Sequence, residues 1–188
     1  QSYESRIATF GDSERCFLAV EMQDLIQPES WTRIDKITNE LKALDEVESV
    51  ESLTTAEAIW SEGGKLHLES YGPLWKGETV GPFKSKQQAL NDPLIKGILV
   101  SDKGPTVLFL VEFGPDELAT TEAMPAVFNK LIAVFKSAGI EPANVHAAGL
   151  LPESIESNRQ TERALVVLLP LTMVLLLGAV FILFGQFW

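Results

Sequence analysis

The chain has 188 residues and a formal net charge of −11, with 46% of its side chains hydrophobic and a single cysteine. An acidic surface disfavours nucleic acid, where binding rewards Lys and Arg against phosphate, and it disfavours broad contact with anionic lipid headgroups. One cysteine cannot close an internal disulfide, and Cys16, inside the apolar run CFLAVEM, reads as a small buried hydrophobe.

In chain order, the first residue is Gln1, which predicts a piece excised from a longer protein. Tyr3–Phe10 reads as the last turns of an incoming helix closed by Gly11. Arg15–Met22 is a nearly continuous apolar run and predicts a buried strand. Pro28 and Glu29 then open a helix, proline at its first position and an acid in its first turn. Trp31, Ile34, Ile37 or Thr38, Leu41 and Leu44 fall at intervals of three and four and make one face. Val47–Leu53 reads as a second strand with imperfect alternation. Together these form a β-α-β unit.

A second unit follows later. Val107–Phe113 (VLFLVEF) gives the strongest strand signal in the chain. Gly97–Ser101 and a turn at Asp102–Pro105 precede it and predict a hairpin. A helix over Leu118–Ala138 shows Met124, Val127, Phe128, Leu131, Ile132 and Phe135 on one face, with Gly139 as its stop. Val145–Ala148 closes the unit as a short strand. The fold class expected is therefore α+β, two β-α-β units sharing one sheet in a ferredoxin-like sandwich, with Phe17, Val20, Phe109 and Val111 beneath the helices.

After Gly149 another helix begins at Pro152-Glu153 and stays polar through Glu162 and Arg163. From Ala164 to Trp188 no side chain is charged. About twenty apolar residues are what an α-helix needs to cross the hydrocarbon of a bilayer, and in lipid the backbone must be paired within the segment. No breaker separates polar and apolar parts, so one helix is expected to leave the domain and enter a membrane, with Pro170 a kink that membrane helices tolerate. The domain boundaries expected are residues 1–150 for the soluble part and 151–188 for the helix, its transmembrane portion at about 164–188.

Motifs for catalysis and metal binding are missing from the sequence. His67 and His146 lie far apart without neighbouring ligands at metal spacing, and neither a nucleophile elbow, a dinucleotide fingerprint nor a phosphate loop occurs. An enzyme is not expected, nor any catalytic residue, cofactor or metal. The insertion between the two units, residues 54–93, is different. It is long, Ala56–Ser61 within it reads as a helical turn, and a KLHLESY run and a Gly/Pro-punctuated stretch follow. Its apolar side chains have two readings, a satellite core under a long loop or the lining of a site for a hydrophobic ligand. The candidate ligand-binding residues are Trp60, Tyr71, Leu74, Trp75 and Phe83.

Three blocks carry a resemblance. VEMQDLIQPESWTRIDKITNELKAL leads into VESVESLTT; NDPLIKGILVSDKGPTVLFLVEF holds an Asp-Pro, a Gly and a Val-Ser-Asp turn before a strand; HAAGLLPESIESNRQTERALVVLLPL is a turn entering a long helix. In order and spacing they resemble the first extracytoplasmic loop and second transmembrane helix of the resistance-nodulation-division (RND) transporter superfamily, its MMPL-like branch of lipid and hydrophobe exporters fitting best. Leu150-Leu151-Pro152 departs from the pattern by one residue before the proline. The resemblance implies a periplasmic porter domain of a multi-pass inner-membrane protein, a hydrophobic or lipid-like substrate, and coupling to a proton gradient through helices outside this chain. The partners it implies are membrane lipids, the remaining transmembrane helices, a second porter domain and a periplasmic adaptor. The rival reading is a single-pass receptor or adaptor with an extracytoplasmic ligand-binding domain.

Overall fold

The structure, a computed structural model, describes residues 14–103, 105–114 and 123–185. The helix expected at Tyr3–Phe10, the start of the one expected from Leu118, and position 104 of the expected hairpin turn lie outside the described residues.

Four strands form one antiparallel sheet: β1 (Glu14–Glu21), β2 (Val47–Glu51), β5 (Thr106–Phe113) and β6 (Val145–Gly149), side by side in the order β2-β5-β1-β6. Because β1 and β2 each run antiparallel to β5, they run in the same direction with β5 between them. In the same way β1 separates β5 from β6. Each β-α-β unit is thus split by a strand of the other, and the two units share a single sheet.

Two helices lie on one face. In α1 (Pro28–Lys42) the buried residues are Trp31, Ile34, Ile37, Thr38 and Leu41, the stripe read from the sequence. The second long helix, α4 (Met124–Ser137), buries Val127, Leu131, Val134 and Phe135. Beneath them lie Cys16, Leu18 and Val20 of β1 and Val107, Phe109, Val111 and Phe113 of β5, and Phe135 meets Phe109 edge-on at 5.3 Å. Burial pushes the Cys16 thiol up to about 12, so it stays protonated and inert.

Phe17 is the exception. It lies on the opposite, half-exposed face, because a period of two sets it out of phase with its buried neighbours Cys16 and Leu18. The run CFLAV is apolar on both phases, so the sequence alone did not decide between them. On that open face Arg15 Nε pairs with Glu112 Oε1 at 2.7 Å and Ser49 Oγ donates to Glu112 Oε2 at 2.7 Å. The imperfect alternation of β2 has a cause too. Its register against β5 shifts between Val47 and Ser49, a bulge that lets Val47 and Val50 both face the core.

Helix ends are set locally. At the end of α4 the Gly139 N–H bonds to Lys136 O and the Ile140 N–H to Phe135 O, both 3.0 Å, with Gly139 at φ +78. That is a Schellman stop, and it needs the left-handed conformation that glycine adopts without strain. Between the helices Lys36 Nζ donates to Ser137 O at 3.3 Å and Ser137 Oγ to Glu40 Oε2 at 2.5 Å.

The insertion carries more regular structure than its sequence suggests. Residues 57–62 are not a helical turn. Glu57–Glu62 is strand β3, paired antiparallel with β4 (Lys65–Ser70) through the turn Gly63-Gly64. Two consecutive glycines at positive φ give the hairpin turn that matches strand twist, and Ala-Ile-Trp forms a cross-strand surface in place of a helix face. Two short helices follow, α2 (Gly72–Trp75) and α3 (Lys86–Leu90). The predicted hairpin before β5 is present but short: an antiparallel bridge between Val100 and Val107 is flanked by bonds from the Ser101 N–H to Thr106 O at 3.0 Å and from the Leu108 N–H to Leu99 O at 2.8 Å. It extends no further because Ile95–Leu99 is wound into turns on the Ile95 carbonyl.

From β6 the chain enters α5 (Leu150–Gly185), with Pro170 inside it. The chain divides into two compact units, residues 1–152 and 153–188. Among the described residues the second consists of this helix from Glu153 onward. It is long and apolar enough to cross a membrane; at 1.5 Å per residue its uncharged part from Ala164 to Gly185 spans about 33 Å.

Two consequences are measurable. Phe135→Ala should cost about 3–5 kcal/mol, the worth of a large core aromatic plus the cavity it leaves, in denaturant unfolding of the detergent-solubilised protein. Glu46, near the start of β2, accepts from Lys130 of α4, and that bond holds its carboxyl below the ordinary value of 4.5 against the opposing effect of burial. A carboxylate depressed in the folded state contributes stability above its unfolded pKa and loses that contribution as pH falls through the folded one. Glu46→Gln should therefore be less stable than wild type near neutral pH, and the gap should close in strong acid; thermal melts across that range check it.

Candidate functional site

The insertion is tied to the domain at the exit of β2. Thr38 on α1 and Ser52 just after β2 are fully buried polar residues. Thr38 donates its hydroxyl to Ile34 O at 2.8 Å, so toward Ser52 Oγ, 2.8 Å away, and Thr54 Oγ1, 3.3 Å away, it acts as acceptor. The Thr54 N–H bonds to Ser52 Oγ at 3.3 Å; Thr55 Oγ1 accepts from the Ser52 N–H at 2.8 Å and donates to Val50 O at 3.2 Å. Every hydroxyl in the cluster has a partner, so the chain leaves β2 in one direction.

That direction brings an aromatic row together. Trp75, at the end of α2, stacks on Trp31 of α1 with ring centroids 3.3 Å apart and planes 12° from parallel. Both indole N–H groups are satisfied by backbone: Trp31 Nε1 donates to Leu25 O, and Trp75 Nε1 to Leu53 O at 3.3 Å. Tyr71 lies 6.2 Å from Trp75, and Phe83 meets Tyr71 edge-on at 5.2 Å. The Tyr71 hydroxyl donates to Asp92 Oδ2 at 2.8 Å. Burial first, and then the Asp92 carboxylate, push that phenol well above its usual range, so it remains a donor.

A cleft of about 310 Å³ opens beside the stacked pair, lined by Pro28, Trp31, Thr32, Asp35, Thr54, Gly72, Trp75 and Lys76. It offers an apolar indole wall with one acid and one base. Of the five residues singled out from the sequence, Trp75 lines this cleft. Tyr71 and Leu74 are buried behind it, and Phe83 is half-buried against Tyr71. Trp60 stands apart from the row: it stacks on His67 across the β3–β4 hairpin at 5.2 Å and packs on Gly81, in the turn bridged by Val80 and Phe83. A side chain at Gly81, already at φ +49, would run into the indole.

Sequence reasoning did not find Trp31 as a cleft wall, Asp92 as the Tyr71 partner, or the Thr38–Ser52 pair. Trp31 was legible only as core. The Ser-Leu-Thr-Thr run after a strand was a signal for the hydroxyl cluster, since hydroxyl side chains favour bonds to nearby backbone in turns. A roomier cleft, about 530 Å³, is polar and holds none of the candidates; Glu21, Gln23, Asp24, Ser30, Arg33 and Asn144 are among its lining. Among the described residues no three His, Cys, Asp or Glu side chains converge as metal ligands. No family model matches the sequence, and no curated protein matches it.

Thr38→Val should remove the buried acceptor shared by Ser52 and Thr54, leaving Ser52 Oγ only its longer 3.1 Å contact with Thr54 Oγ1, and cost about 1–3 kcal/mol for the lost buried hydrogen bonds. Hydrogen exchange should rise across residues 54–93 more than in the four-stranded sheet. Thr32→Val, exposed on the same helix, should stay within about 0.5 kcal/mol of wild type.

Proposed function

We propose that this chain is the first periplasmic porter domain and second transmembrane helix of an RND-superfamily transporter of the MMPL-like branch. In this reading a proton gradient, acting through helices elsewhere in the protein, drives movement of a hydrophobic or amphiphilic molecule. The observation that carries it is the passage of the last sheet strand, β6, directly into a helix that becomes long, uncharged and apolar. The split β-α-β pairs, in the order β2-β5-β1-β6 with both long helices on one face, fit a ferredoxin-like porter domain. The cleft beside Trp31 and Trp75 suits an amphiphile: indole faces for its apolar body, Asp35 and Lys76 for its polar end.

The test uses the full-length parent protein. Lipids titrated into it in detergent should change tryptophan emission saturably, and Trp75→Ala should weaken binding by about 1–3 kcal/mol, the worth of burying one large apolar side chain. In proteoliposomes, movement of the same lipid should require an imposed proton gradient. If Trp75→Ala lowers thermal stability and leaves affinity intact, the aromatic row is a satellite core. Saturable binding with no gradient-driven movement, in a parent with a single membrane span, would favour the receptor.

A further inference from the structure

Outside the uncharged part of α5, the large aliphatic side chains exposed among the described residues are Ile26, Ile59, Leu66, Leu68, Leu94, Ile98 and Leu150. Five of these seven belong to one region. Ile59 and Leu68 are directly opposite each other in the β3–β4 ladder, and Leu66 is opposite Ser61, two residues further along. Side chains two apart or directly opposite share a face, so all three aliphatics project from the same side of the hairpin. Trp60 and His67 occupy its other side. Ile59 also faces Leu94 and Ile98 across a cleft of about 470 Å³ floored by Ile95. The five are between 43% and 75% exposed. Contiguous exposed apolar surface of this kind marks an interaction site.

We propose that this face of the hairpin, with the Leu94–Ile98 wall, docks a different protein whose contact surface has an apolar centre and a rim of Lys and Arg. Charge decides the occupant. Glu51 and Glu57 line the cleft and no Lys or Arg does, Glu57 lying on the same side of the hairpin as Ile59, whereas Glu62, Glu69 and Lys65 lie on the other side with Trp60 and His67; Lys96 is the one exposed base within the Leu94–Ile98 wall. An anionic leaflet is repelled by that rim. A second copy meeting the same face about a two-fold axis would set these acids against each other. A small ligand would be held in a concavity, whereas Leu66, 75% exposed, stands clear of the cleft near the hairpin turn. An apolar centre with a rim of opposite charge is the surface that complements it.

The experiment places a benzophenone-bearing residue at Leu68 in the full-length protein and irradiates native membranes, with the same probe at Ile26 as the background. The expected adduct joins a polypeptide of different sequence, through a contact peptide that is apolar and flanked by Lys or Arg. Glu51→Lys with Glu57→Lys should lower its yield at least tenfold at unchanged melting temperature. Replacing two of the partner's flanking bases by Glu should restore it. Raising the salt concentration should lower the wild-type yield in parallel, a readout that needs no variant of this chain. Adducts only between two copies, only within one chain, or only with lipid would overturn the proposal. So would a yield no higher than at Ile26, or one that charge reversal and salt leave unchanged.

Discussion

The arrangement of the domain turns on four hydroxyl side chains where the end of β2 meets α1. Thr38, Ser52, Thr54 and Thr55 bond to one another and to backbone carbonyls and amides, and at Thr38 and Ser52, both fully buried, water cannot substitute. A buried hydroxyl without a partner is costly, so the cluster is satisfied in one geometry and not in its neighbours. That geometry aims Leu53 and the following chain back along α1. From there the Leu53 carbonyl meets Trp75, and Trp75 meets Trp31. The long insertion is thereby folded onto the first helix, and its aromatic side chains extend the core in place of hanging from it.

The sheet itself is asymmetric. One face is closed by two helices and is apolar throughout; the other keeps a polar end at Arg15, Glu112 and Ser49 and half-exposed Phe17, Leu108 and Leu110 beyond it. At the far edge Gly149 closes β6 against β1 with φ +110, and a Cβ there would come within 2.5 Å of the Arg15 carbonyl. Glycine at that position allows the last strand to approach its neighbour and turn at once into α5.

Much of this was legible in the sequence where periodicity is strong. The stripe from Trp31 to Leu41, the strand VLFLVEF, the Pro28 start and the Gly139 stop each have a local physical cause, and the structure contains them. Legibility failed where phase or pairing decides. CFLAV is apolar at every position, so nothing local says which face of the sheet Phe17 takes. AEAIWS has helix-forming residues at its start, and its strand state depends on a partner supplied by Lys65–Ser70 beyond a glycine pair. The cleft is legible in the sequence only in part, since Trp75 stands among the apolar side chains of the insertion while its stacking partner Trp31 falls on a helical core stripe. A contact between residues 44 positions apart leaves no mark in either segment's own pattern.

The interleaved order of the sheet has a bearing on how the chain folds. No main-sheet strand pairs with the other strand of its own β-α-β unit: β1 bonds only to β5 and β6, and β2 only to β5. Neither half can close a sheet by itself, and pairings at such sequence separation slow folding relative to local contacts. A ribosome adding about 5–20 residues per second delivers β5 several seconds after β1. Throughout that interval Cys16–Val20 is an apolar strand-former with no strand beside it, whereas the β3–β4 hairpin closes on its own short turn. The nascent domain therefore exposes an apolar strand-former well before either of its partner strands, β5 and β6, has been made.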